Sequence, residues 1–305
     1  MDNTVIIGVD HGWSQMKTAE TVFSSGVEEI LSEPAFFDDV LEYGGKYYKV
    51  GTKRDAVMEN KTVNNDYYLL TLASMAKEMK IRGMNEAKVI LATGLPVTRY
   101  GAEKKAFIEY LSRNKDIRFK FEKEEYRIAL EKVAVYPQGY AAVVDLIGKF
   151  GTKIVVVDIG SWTIDIIPIV DGRPDEASAN TIAEGLIPCM RQINKQCMRL
   201  YNEKIDEEII KQYIITQKSD LDEKFVKIMD SNLKEFATKL FNSLREEGYS
   251  LSTTNFCFTC GGATVMKHFG GYNQKNIMYV LDVHANAKGY EIMTKAALER
   301  KARAQ

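Results

Sequence analysis

The chain has 305 residues, of which 45% are hydrophobic and 27% charged, and its formal net charge at pH 7 is −1. The length predicts two domains, and the composition excludes a disordered or fibrous protein. The balanced charge argues against direct nucleic-acid binding. Four unevenly spaced cysteines exclude a disulfide framework. No apolar stretch is long enough to cross a membrane, which predicts a soluble, cytoplasmic protein.

The first half of the chain reads as strands followed by alternating helices and strands. TVIIGVD is an apolar strand, and DVLEYGGKYYKVG reads as a hairpin with Gly44 and Gly45 at its tip. DYYLLTLASMAKEMKIRG has helical spacing and a natural end at Gly83. KVILATGLP predicts a buried strand, RYGAEKKAFIEYLSRN an amphipathic helix and FKFEKEEYRIALEKVAVYP further strands. QGYAAVVDLIGKFG then predicts a helix with Pro137 at its first turn.

The second half begins with a strand pair and becomes mostly helical. KIVVVDIGSWTIDIIPIVDGRP predicts two strands joined by a short turn. The stretch from TIAEGLIP to SLREEG has helical periodicity almost throughout. TNFCFTCGGA and NIMYVLDVHANAKG predict two late strands, and EIMTKAALERKARAQ predicts a closing helix. Helices between strands in two lobes indicate the α/β class.

One motif occurs in both halves: an apolar strand that ends in Asp and turns through Gly and Ser or Thr. The two copies are VIIGVDHGWSQMK and IVVVDIGSWTIDI, and Asp10 and Asp158 lie 148 positions apart. Such a turn presents N–H and hydroxyl groups that bind phosphate, and Gly12 and Gly160 permit close approach. Each aspartate could hold Mg²⁺ through its water shell. One copy is an ordinary β-turn more often than not, but two favour paired half-sites.

Three further features could complete a nucleotide site. Lys17 follows the first turn and could reach a β- or γ-phosphate, although a solvated strand residue is the alternative. Gly261 and Gly262, in CGGA, could accept the base and the α-phosphate, or form a tight turn. Glu184 could reach a ribose hydroxyl, or complement the dipole of the helix that it precedes.

The order of these motifs, with connecting helices at VYPQGYAAVV and VHANAKGYEIM, resembles the actin, hexokinase and heat-shock-chaperone ATPase superfamily. VILATGLPVTRYGAEKKAFIEYL looks like the Gly-Leu-Pro segment of the ParM/StbA plasmid-segregation actins. The resemblance implies an actin-like ATPase fold of two lobes, each with a mixed sheet flanked by helices, and a nucleotide in the interlobe cleft. Domain I would be 1–150 plus 286–305, with a small outer subdomain at about 33–60. Domain II would be 151–285, with a helical outer subdomain at about 181–249.

The same resemblance implies hydrolysis of ATP or GTP with Mg²⁺. Gln138 would position the attacking water, while Asp10 and Asp158 would order the ion and that water. The clasp on the β- and γ-phosphates would come from one set of residues in each turn: Gly12, Trp13 and Ser14 in the first, and Gly160, Ser161 and Thr163 in the second.

Two residues of the first turn depart from the family pattern, which puts nucleotide preference and hydrolysis rate in question. His11 could donate a hydrogen bond to phosphate, but a packed imidazole is the favoured interpretation. Trp13 and Trp162 stand at matching places in the two turns and are interpreted as packing groups beneath the site.

The resemblance also implies partners: self-association into filaments, and a DNA-binding adaptor that links them to plasmid DNA, with no membrane contact. A sugar or small-metabolite kinase on the same fold is an alternative, with Asp165 as its base. A chromosomally encoded cytoskeletal actin and a regulatory member that does not hydrolyse nucleotide are further alternatives.

Overall fold

A computed structural model describes residues 4–52, 61–149 and 151–304. The chain divides into two compact units. Unit 1 comprises Met1–Asp145 and His284–Gln305, and unit 2 comprises Leu146–Val283. The domain and subdomain limits drawn from the sequence stay predictions, and residues 53–60 of the expected outer subdomain lie outside the described residues.

Unit 1 is built on a sheet that has nine strands in the described part of the chain. The strands are β1 (Thr4–His11), β2 (Gln15–Lys17), β3 (Val22–Ser24), β4 (Gly26–Ile30), β5 (Val40–Tyr43), β6 (Lys46–Thr52), β7 (Glu86–Leu95), β8 (Asp116–Phe121) and β9 (Glu124–Pro137). They lie in the order β3-β2-β1-β7-β9-β8-β5-β6-β4. β1, β7 and β9 run parallel, and the other neighbours pair antiparallel.

Helices α1 (Asp66–Ile81) and α2 (Val97–Leu111) cover one face of this sheet. Successive side chains of a strand point to opposite faces. Ile7 of β1 lies in the hydrophobic core that includes the buried residues of α1 and α2, whereas its neighbour Ile6 packs against a separate small cluster. The parallel centre of the sheet is therefore apolar on both faces, as parallel sheets usually are.

Unit 2 is built on a second mixed sheet. Its strands are β10 (Lys153–Ile159), β11 (Ile164–Val170), β12 (Arg173–Pro174), β13 (Asn180–Ile182), β14 (Phe256–Thr259) and β15 (Ile277–Tyr279). They lie in the order β12-β11-β10-β14-β15, with β13 beside β11. β10, β14 and β15 are parallel, and β11 is antiparallel to β10.

The helices of unit 2 are α3 (Leu186–Tyr201), α4 (Glu207–Thr216), α5 (Glu223–Glu246) and α6 (Ala263–Phe269). Helix α5 takes part in two cores: Phe241 packs in the core that contains Val157 of β10, and Leu233 packs in the core formed with α3 and α4. Asp206 and Asp222 cap α4 and α5 by accepting backbone N–H bonds, the usual role of Asp at this position.

The last helix, α7 (Ala285–Arg303), belongs to unit 1 and lies very close to its sheet. A Cβ on Gly8 of β1 would come within 2.9 Å of the Ala287 carbonyl carbon. A Cβ on Gly289 of α7 would come within 2.5 Å of the Ala141 carbonyl carbon. Both distances are far below a normal contact, so glycine is what permits this packing.

The predicted α/β class, with two mixed sheets flanked by helices, is confirmed. The hairpin tip is also confirmed, because Gly44 and Gly45 have φ of 62° and 74°, as a type I′ turn requires. Gly83 follows α1 with φ of 67°, the expected left-handed helix end. Within the described residues, every helix is too short or too polar to span a lipid bilayer.

Two predicted elements are wrong. The helix expected from residue 138 is instead a turn followed by short 3-10 segments, Ala141–Val143 and Ile147–Lys149, and Pro137 is the last residue of β9. Gly139 has a φ of 74°, which an α-helix does not accept. The late strand expected to run through NIMYVLDVHANAKG covers only β15, whereas the connecting helix that the family resemblance implied over VHANAKGYEIM is present as the first part of α7.

Candidate functional site

The predicted residues of unit 1 lie at the carboxyl edge of its parallel strands. Asp10 is near the end of β1, and Gln138 directly follows β9. β7 lies between these strands, and the Gln138 N–H donates to the carbonyl of Leu95, its last residue, at 2.8 Å. In α/β proteins ligands bind at this edge of the sheet. Asp10 and Gln138 therefore reach one edge from distant parts of the sequence.

The first motif forms a tight β-hairpin, residues 10–17, which we call hairpin 1. Asp10 and Lys17 are cross-strand neighbours, and the Lys17 Nζ lies 3.6 Å from Asp10 Oδ2. Asp10 is only 2% exposed. A Cβ on Gly12 would lie 2.5 Å from the Gln15 carbonyl oxygen, so the turn requires glycine there. Hairpin 1 thus holds a buried carboxylate beside a lysine.

His11 is a buried neutral imidazole. Its Nδ1 lies 2.8 Å from the Thr93 hydroxyl and its Nε2 lies 2.7 Å from the Thr71 hydroxyl. Because the Thr71 hydroxyl donates to the Tyr67 carbonyl, it accepts from the His11 Nε2–H, and Nδ1 accepts from Thr93. Burial, and secondarily the ammonium of Lys61, hold the pKa of His11 well below its usual range. Both ring nitrogens of His11 therefore form hydrogen bonds within the protein.

Trp13 contacts residues from later segments of the chain. Its ring meets the Tyr67 ring edge-on at 5.9 Å, and the Lys61 Nζ lies 5.5 Å from its centroid. Its carbonyl accepts a hydrogen bond from the Ser25 hydroxyl at 2.8 Å. Trp13 therefore has the packing contacts that were predicted for it.

The predicted residues of unit 2 gather at the equivalent edge of the second sheet. Asp158 of β10 pairs in register with Thr259 of the parallel strand β14. The second motif forms hairpin 2, residues 158–165, in which the Gly160 N–H donates to the Thr163 carbonyl at 2.9 Å. Asp158 is 2% exposed, like Asp10. Both units thus place a buried carboxylate and a glycine turn at the ends of parallel strands.

The start of α3 is bound directly to hairpin 2. Three backbone hydrogen bonds join them: Gly185 N–H to the Trp162 carbonyl at 3.0 Å, Leu186 N–H to the Gly160 carbonyl at 3.2 Å, and Ile187 N–H to the Ser161 carbonyl at 2.8 Å. A Cβ on Gly185 would lie 2.5 to 2.6 Å from backbone atoms of Ser161 and Trp162. Glu184, which directly precedes this glycine, is exposed. These bonds bring Glu184 next to the turn.

The CGGA segment also contacts the end of β10. The Gly262 N–H donates to the Ile159 carbonyl at 3.2 Å, and a Cβ on Gly262 would lie 2.5 Å from the Ile159 Cβ. Around Gly261, by contrast, the nearest atom to an added Cβ is 4.0 Å away. The structure therefore brings together all the predicted residues of unit 2, and Gly262 is the one that the packing requires.

Asp165 lies directly across the strand pair from Asp158. Both are buried, at 6% and 2% exposed, and the Asp165 Oδ1 accepts a hydrogen bond from the Thr181 hydroxyl at 2.6 Å. Facing carboxylates on adjacent strands repel each other unless a proton or cation compensates them. The sequence contained a signal for this pairing. Because the turn between the two strands is short, it fixes which residues face each other, and it places Asp165 opposite Asp158.

The sequence reasoning also missed other residues at these edges. Lys61 and Tyr67 contact hairpin 1 from a distant part of the chain, and no local pattern marks them. Thr259 is fully buried at the end of β14, and its hydroxyl has no hydrogen-bond partner among the described residues. Its position directly before CGGA was the available signal. No group of three or more His, Cys, Asp or Glu residues in the described ranges forms a metal-binding cluster.

Comparisons with known proteins agree with this arrangement. Residues 8–140 match the sequence profile of the "Actin like proteins N terminal domain", and no curated protein matches the chain in sequence. The fold is similar to that of an archaeal actin homologue, Ta0583, with a TM-score of 0.80, 17% identity, and coverage of 96% of this chain and 99% of that one. Ta0583 has also been solved in complex with ADP, with a TM-score of 0.75.

Two ParM structures are similar as well. ParM in a 15-stranded filament from Clostridium botulinum gives a TM-score of 0.77 at 18% identity, covering 96% of this chain and 99% of that one. Bacillus thuringiensis ParM with AMPPNP gives 0.75 at 13% identity, covering 97% and 100%. The resemblance predicted from the sequence is confirmed. The chain has the fold of the actin-like proteins over nearly its whole length, and residues 8–140 match the profile of their N-terminal domain.

Proposed function

We propose that this chain binds and hydrolyses ATP or GTP with Mg²⁺, and assembles into filaments that segregate plasmid DNA through a DNA-bound adaptor. The observation that carries the proposal is the presence of two acidic glycine hairpins of the same build, one in each unit, at the carboxyl ends of parallel strands. The likeness of fold to structures with ADP and AMPPNP supports a nucleotide as the ligand.

The acidic residues suit a hydrated magnesium ion. Asp10 and Asp158 are both almost fully buried, and the Asp10 Oδ1 has no hydrogen-bond partner among the described residues. A buried carboxylate is costly unless a cation or hydrogen bonds compensate it. Mg²⁺ keeps much of its water shell and prefers oxygen ligands, so Asp10 and Asp158 would hold it through water, and it would neutralise charge on the phosphate oxygens.

We assign the β- and γ-phosphates to the turns of the two hairpins. In hairpin 1, the Ser14 hydroxyl is buried and has no hydrogen-bond partner within the described ranges, which suits a donor to phosphate. Lys17 adds a positive charge close to the same turn. The remaining donors would be the backbone and hydroxyl groups of Gly12, Trp13, Ser161 and Thr163. Gly160, whose own N–H donates to the Thr163 carbonyl, would allow the close approach of the phosphate.

The remaining roles follow from position. Gln138, partly buried at the edge of the unit 1 sheet, would orient the attacking water by hydrogen bonding. Glu184, exposed beside hairpin 2, would accept a ribose hydroxyl. Gly261 and Gly262 would receive the base and the α-phosphate, and the open space around Gly261 suits a flat ligand. Hydrolysis then depends on positioning and on neutralised charge, as is usual in phosphoryl transfer.

Filament assembly is supported by the fold, because the similar ParM from Clostridium botulinum was solved as a filament. Head-to-tail contacts that do not close generate filaments, and nucleotide hydrolysis would loosen them. The net charge of −1 offers little attraction for DNA, so a separate adaptor would make that contact, in the cytoplasm. This chain would therefore move DNA without binding it.

The test is right-angle light scattering of the purified protein after addition of Mg-ATP or Mg-GTP, with phosphate release followed in parallel. We expect scattering to rise, and to decay as phosphate accumulates. Asp158→Asn should abolish phosphate release. Asp116→Asn is the matched control, because Asp116 is an exposed acid paired with Arg118 at 3.4 Å, on a strand three places from β1 in the unit 1 sheet.

A flat scattering trace, with turnover appearing only when a sugar or another hydroxyl acceptor is added, would reject the proposal in favour of a kinase. One contact weighs against that alternative: Asp165, its expected base, already accepts a hydrogen bond from the Thr181 hydroxyl within the protein. Retention of a low-copy plasmid in dividing cells tests the segregation step, and loss of the plasmid at the same rate with and without this gene would reject it.

A further inference from the structure

Three side chains from outside hairpin 1 bind the three successive carbonyls of its turn. The Lys61 Nζ donates to the His11 carbonyl at 2.5 Å, the Tyr67 hydroxyl donates to the Gly12 carbonyl at 3.4 Å, and the Ser25 hydroxyl donates to the Trp13 carbonyl at 2.8 Å. We call Lys61, Tyr67 and Ser25 the carbonyl clamp.

The peptide geometry gives the clamp a consequence for the opposite side of the turn. In a planar trans peptide the C=O and the N–H point in opposite directions. Each carbonyl of residues 11–13 points toward the clamp side chain that binds it, so the N–H of the following residue points away from that side chain. Backbone N–H groups aligned in a turn form a concave binding site for anions. The clamp therefore sets the direction of the donors that a phosphate would need.

Lys61 is the unusual member of the clamp. It is 5% exposed, and a buried ammonium is costly unless its charge is well compensated. Its Nζ binds the His11 carbonyl and lies 5.5 Å from the Trp13 ring centroid and 5.8 Å from the Tyr67 ring centroid. Cations over aromatic faces gain more when they are desolvated. Lys61 is thus held against the turn by a carbonyl and two rings.

The residue that Lys61 binds is itself fixed. The His11 ring bridges Thr93 of β7 and Thr71 of α1, and Thr71 is bonded to the Tyr67 carbonyl. Tyr67 therefore takes part in both contacts: its hydroxyl binds the turn, and its carbonyl ends the chain of hydrogen bonds from His11. A shift of the turn would have to move the first turns of α1 with it.

We propose that Lys61, Tyr67 and Ser25 are positioning residues that orient the N–H groups of hairpin 1 for a phosphate group. The inference deepens the proposed function and rests on its nucleotide site, but the clamp itself is measurable without nucleotide. Lys61 does this by fixing the backbone of the turn, whereas Lys17 contributes its charge beside Asp10.

The test compares Lys61→Met with Lys77→Met. Lys77 is the matched control because its Nζ also lies over two rings, those of Phe23 and Phe121, at 5.3 and 5.1 Å, and it pairs with Asp39 rather than with the turn. A hydrogen bond to a charged group is worth about 1.5–3 kcal/mol. We therefore expect the Kd for Mg-ADP or Mg-GDP, measured by calorimetry, to rise about tenfold or more in Lys61→Met and to stay unchanged in Lys77→Met.

A second readout uses the protein without nucleotide. The chain has two tryptophans, so Trp162→Phe leaves Trp13 as the fluorescent reporter of hairpin 1. Acrylamide quenching of Trp13 should increase in Lys61→Met, because the turn is released. Lys61→Arg keeps a cationic donor and should recover most of the nucleotide affinity and of the protection from acrylamide.

Unchanged affinity and unchanged quenching in Lys61→Met would overturn the proposal. If the wild type binds no nucleotide, the proposed function fails, and quenching alone decides on the clamp: an unchanged value rejects it and an increased value supports it. If Lys61→Met does not fold, Ser25→Ala, which removes the hydroxyl donor to the Trp13 carbonyl, decides by the same two readouts.

Discussion

The two hairpins share a motif but are held in place by different parts of the chain. In hairpin 1, side chains bind the carbonyls of residues 11–13. In hairpin 2, backbone N–H groups at the start of α3 bind the carbonyls of residues 160–162. In both cases three successive carbonyls of the turn accept hydrogen bonds from outside the hairpin, from side chains in hairpin 1 and from the backbone in hairpin 2.

The difference determines what a substitution can change. Side-chain donors can be removed one at a time, so evolution or mutagenesis can adjust hairpin 1 in small steps. Backbone donors cannot be removed that way, and hairpin 2 instead depends on close approach at Gly185, where a Cβ would meet the backbone of Ser161 and Trp162. Single side-chain substitutions can therefore change how hairpin 1 is held, whereas hairpin 2 is held rigidly by backbone hydrogen bonds.

The largest expected effect is that of Gly185→Ala. The added Cβ would lie 2.5 Å from the Trp162 backbone nitrogen, and backbone atoms cannot swing aside as a side chain can. Overpacking of this kind costs about 3 kcal/mol, so the midpoint of urea unfolding should fall markedly, and nucleotide binding should weaken with it. Urea unfolding followed by circular dichroism measures the first effect.

Gly261→Ala is the control for this prediction. The nearest atom to its added Cβ is 4.0 Å away, so stability should be nearly unchanged. Equal unfolding midpoints for the two variants would show that α3 can move away from hairpin 2, and the proposed rigidity of that half would be wrong.

A smaller effect is expected from pH, through His11. Burial holds the pKa of His11 below its usual value, so on acidification the unfolded chain is protonated first. The contribution of this residue to stability is full above about pH 6.5, and it falls by about 1.4 kcal/mol per pH unit below that value until the folded protein is protonated too. Urea unfolding at a series of pH values from about 7.5 to 5.5 measures the slope.

His11→Gln should lose this part of the pH dependence. The matched control is His268→Gln, because His268 is bonded to the Ile214 carbonyl in unit 2, far from hairpin 1 in the sequence. An identical pH slope in the wild type and in His11→Gln would show that folding does not lower the pKa of His11, contrary to its burial and its contacts with Thr71 and Thr93.

The features predicted correctly from the sequence are those set by local interactions. An apolar strand, an aspartate and a glycine turn are contiguous, so both hairpins could be located from a dozen residues each. The end of α1 at Gly83 and the hairpin tip at Gly44 depend in the same way on backbone preferences of single residues. Asp10 and Gln138 lie at the carboxyl ends of parallel strands, so the parallel pairing alone places them at the same edge of the sheet.

The features that were missed depend on packing between distant segments. Gly289 is locally unfavourable inside a helix, yet glycine is needed at this position because α7 lies against the Ala141 carbonyl. The turn after β9 was mistaken for a helix because the bond from the Gly139 N–H to the Asn286 side chain has no local sign. Lys61 and Ser25 are hidden for the same reason, since each reaches hairpin 1 from a separate segment.

The smallest effect is expected from Arg191, which lies over Trp162 as Lys61 lies over Trp13. The Arg191 guanidinium carbon is 4.6 Å from the Trp162 ring centroid, but Arg191 is exposed and a cation–π contact at such a site is worth about 0.5 kcal/mol. Because backbone bonds hold hairpin 2, Arg191→Ala should shift the urea midpoint only slightly and leave the Kd for Mg-ADP or Mg-GDP unchanged. The Kd values of Arg191→Ala and Lys61→Met should be measured by calorimetry under the same conditions. A similar loss of affinity in both variants would mean that hairpin 2 also relies on a side-chain cation, and the contrast between the two half-sites would no longer hold.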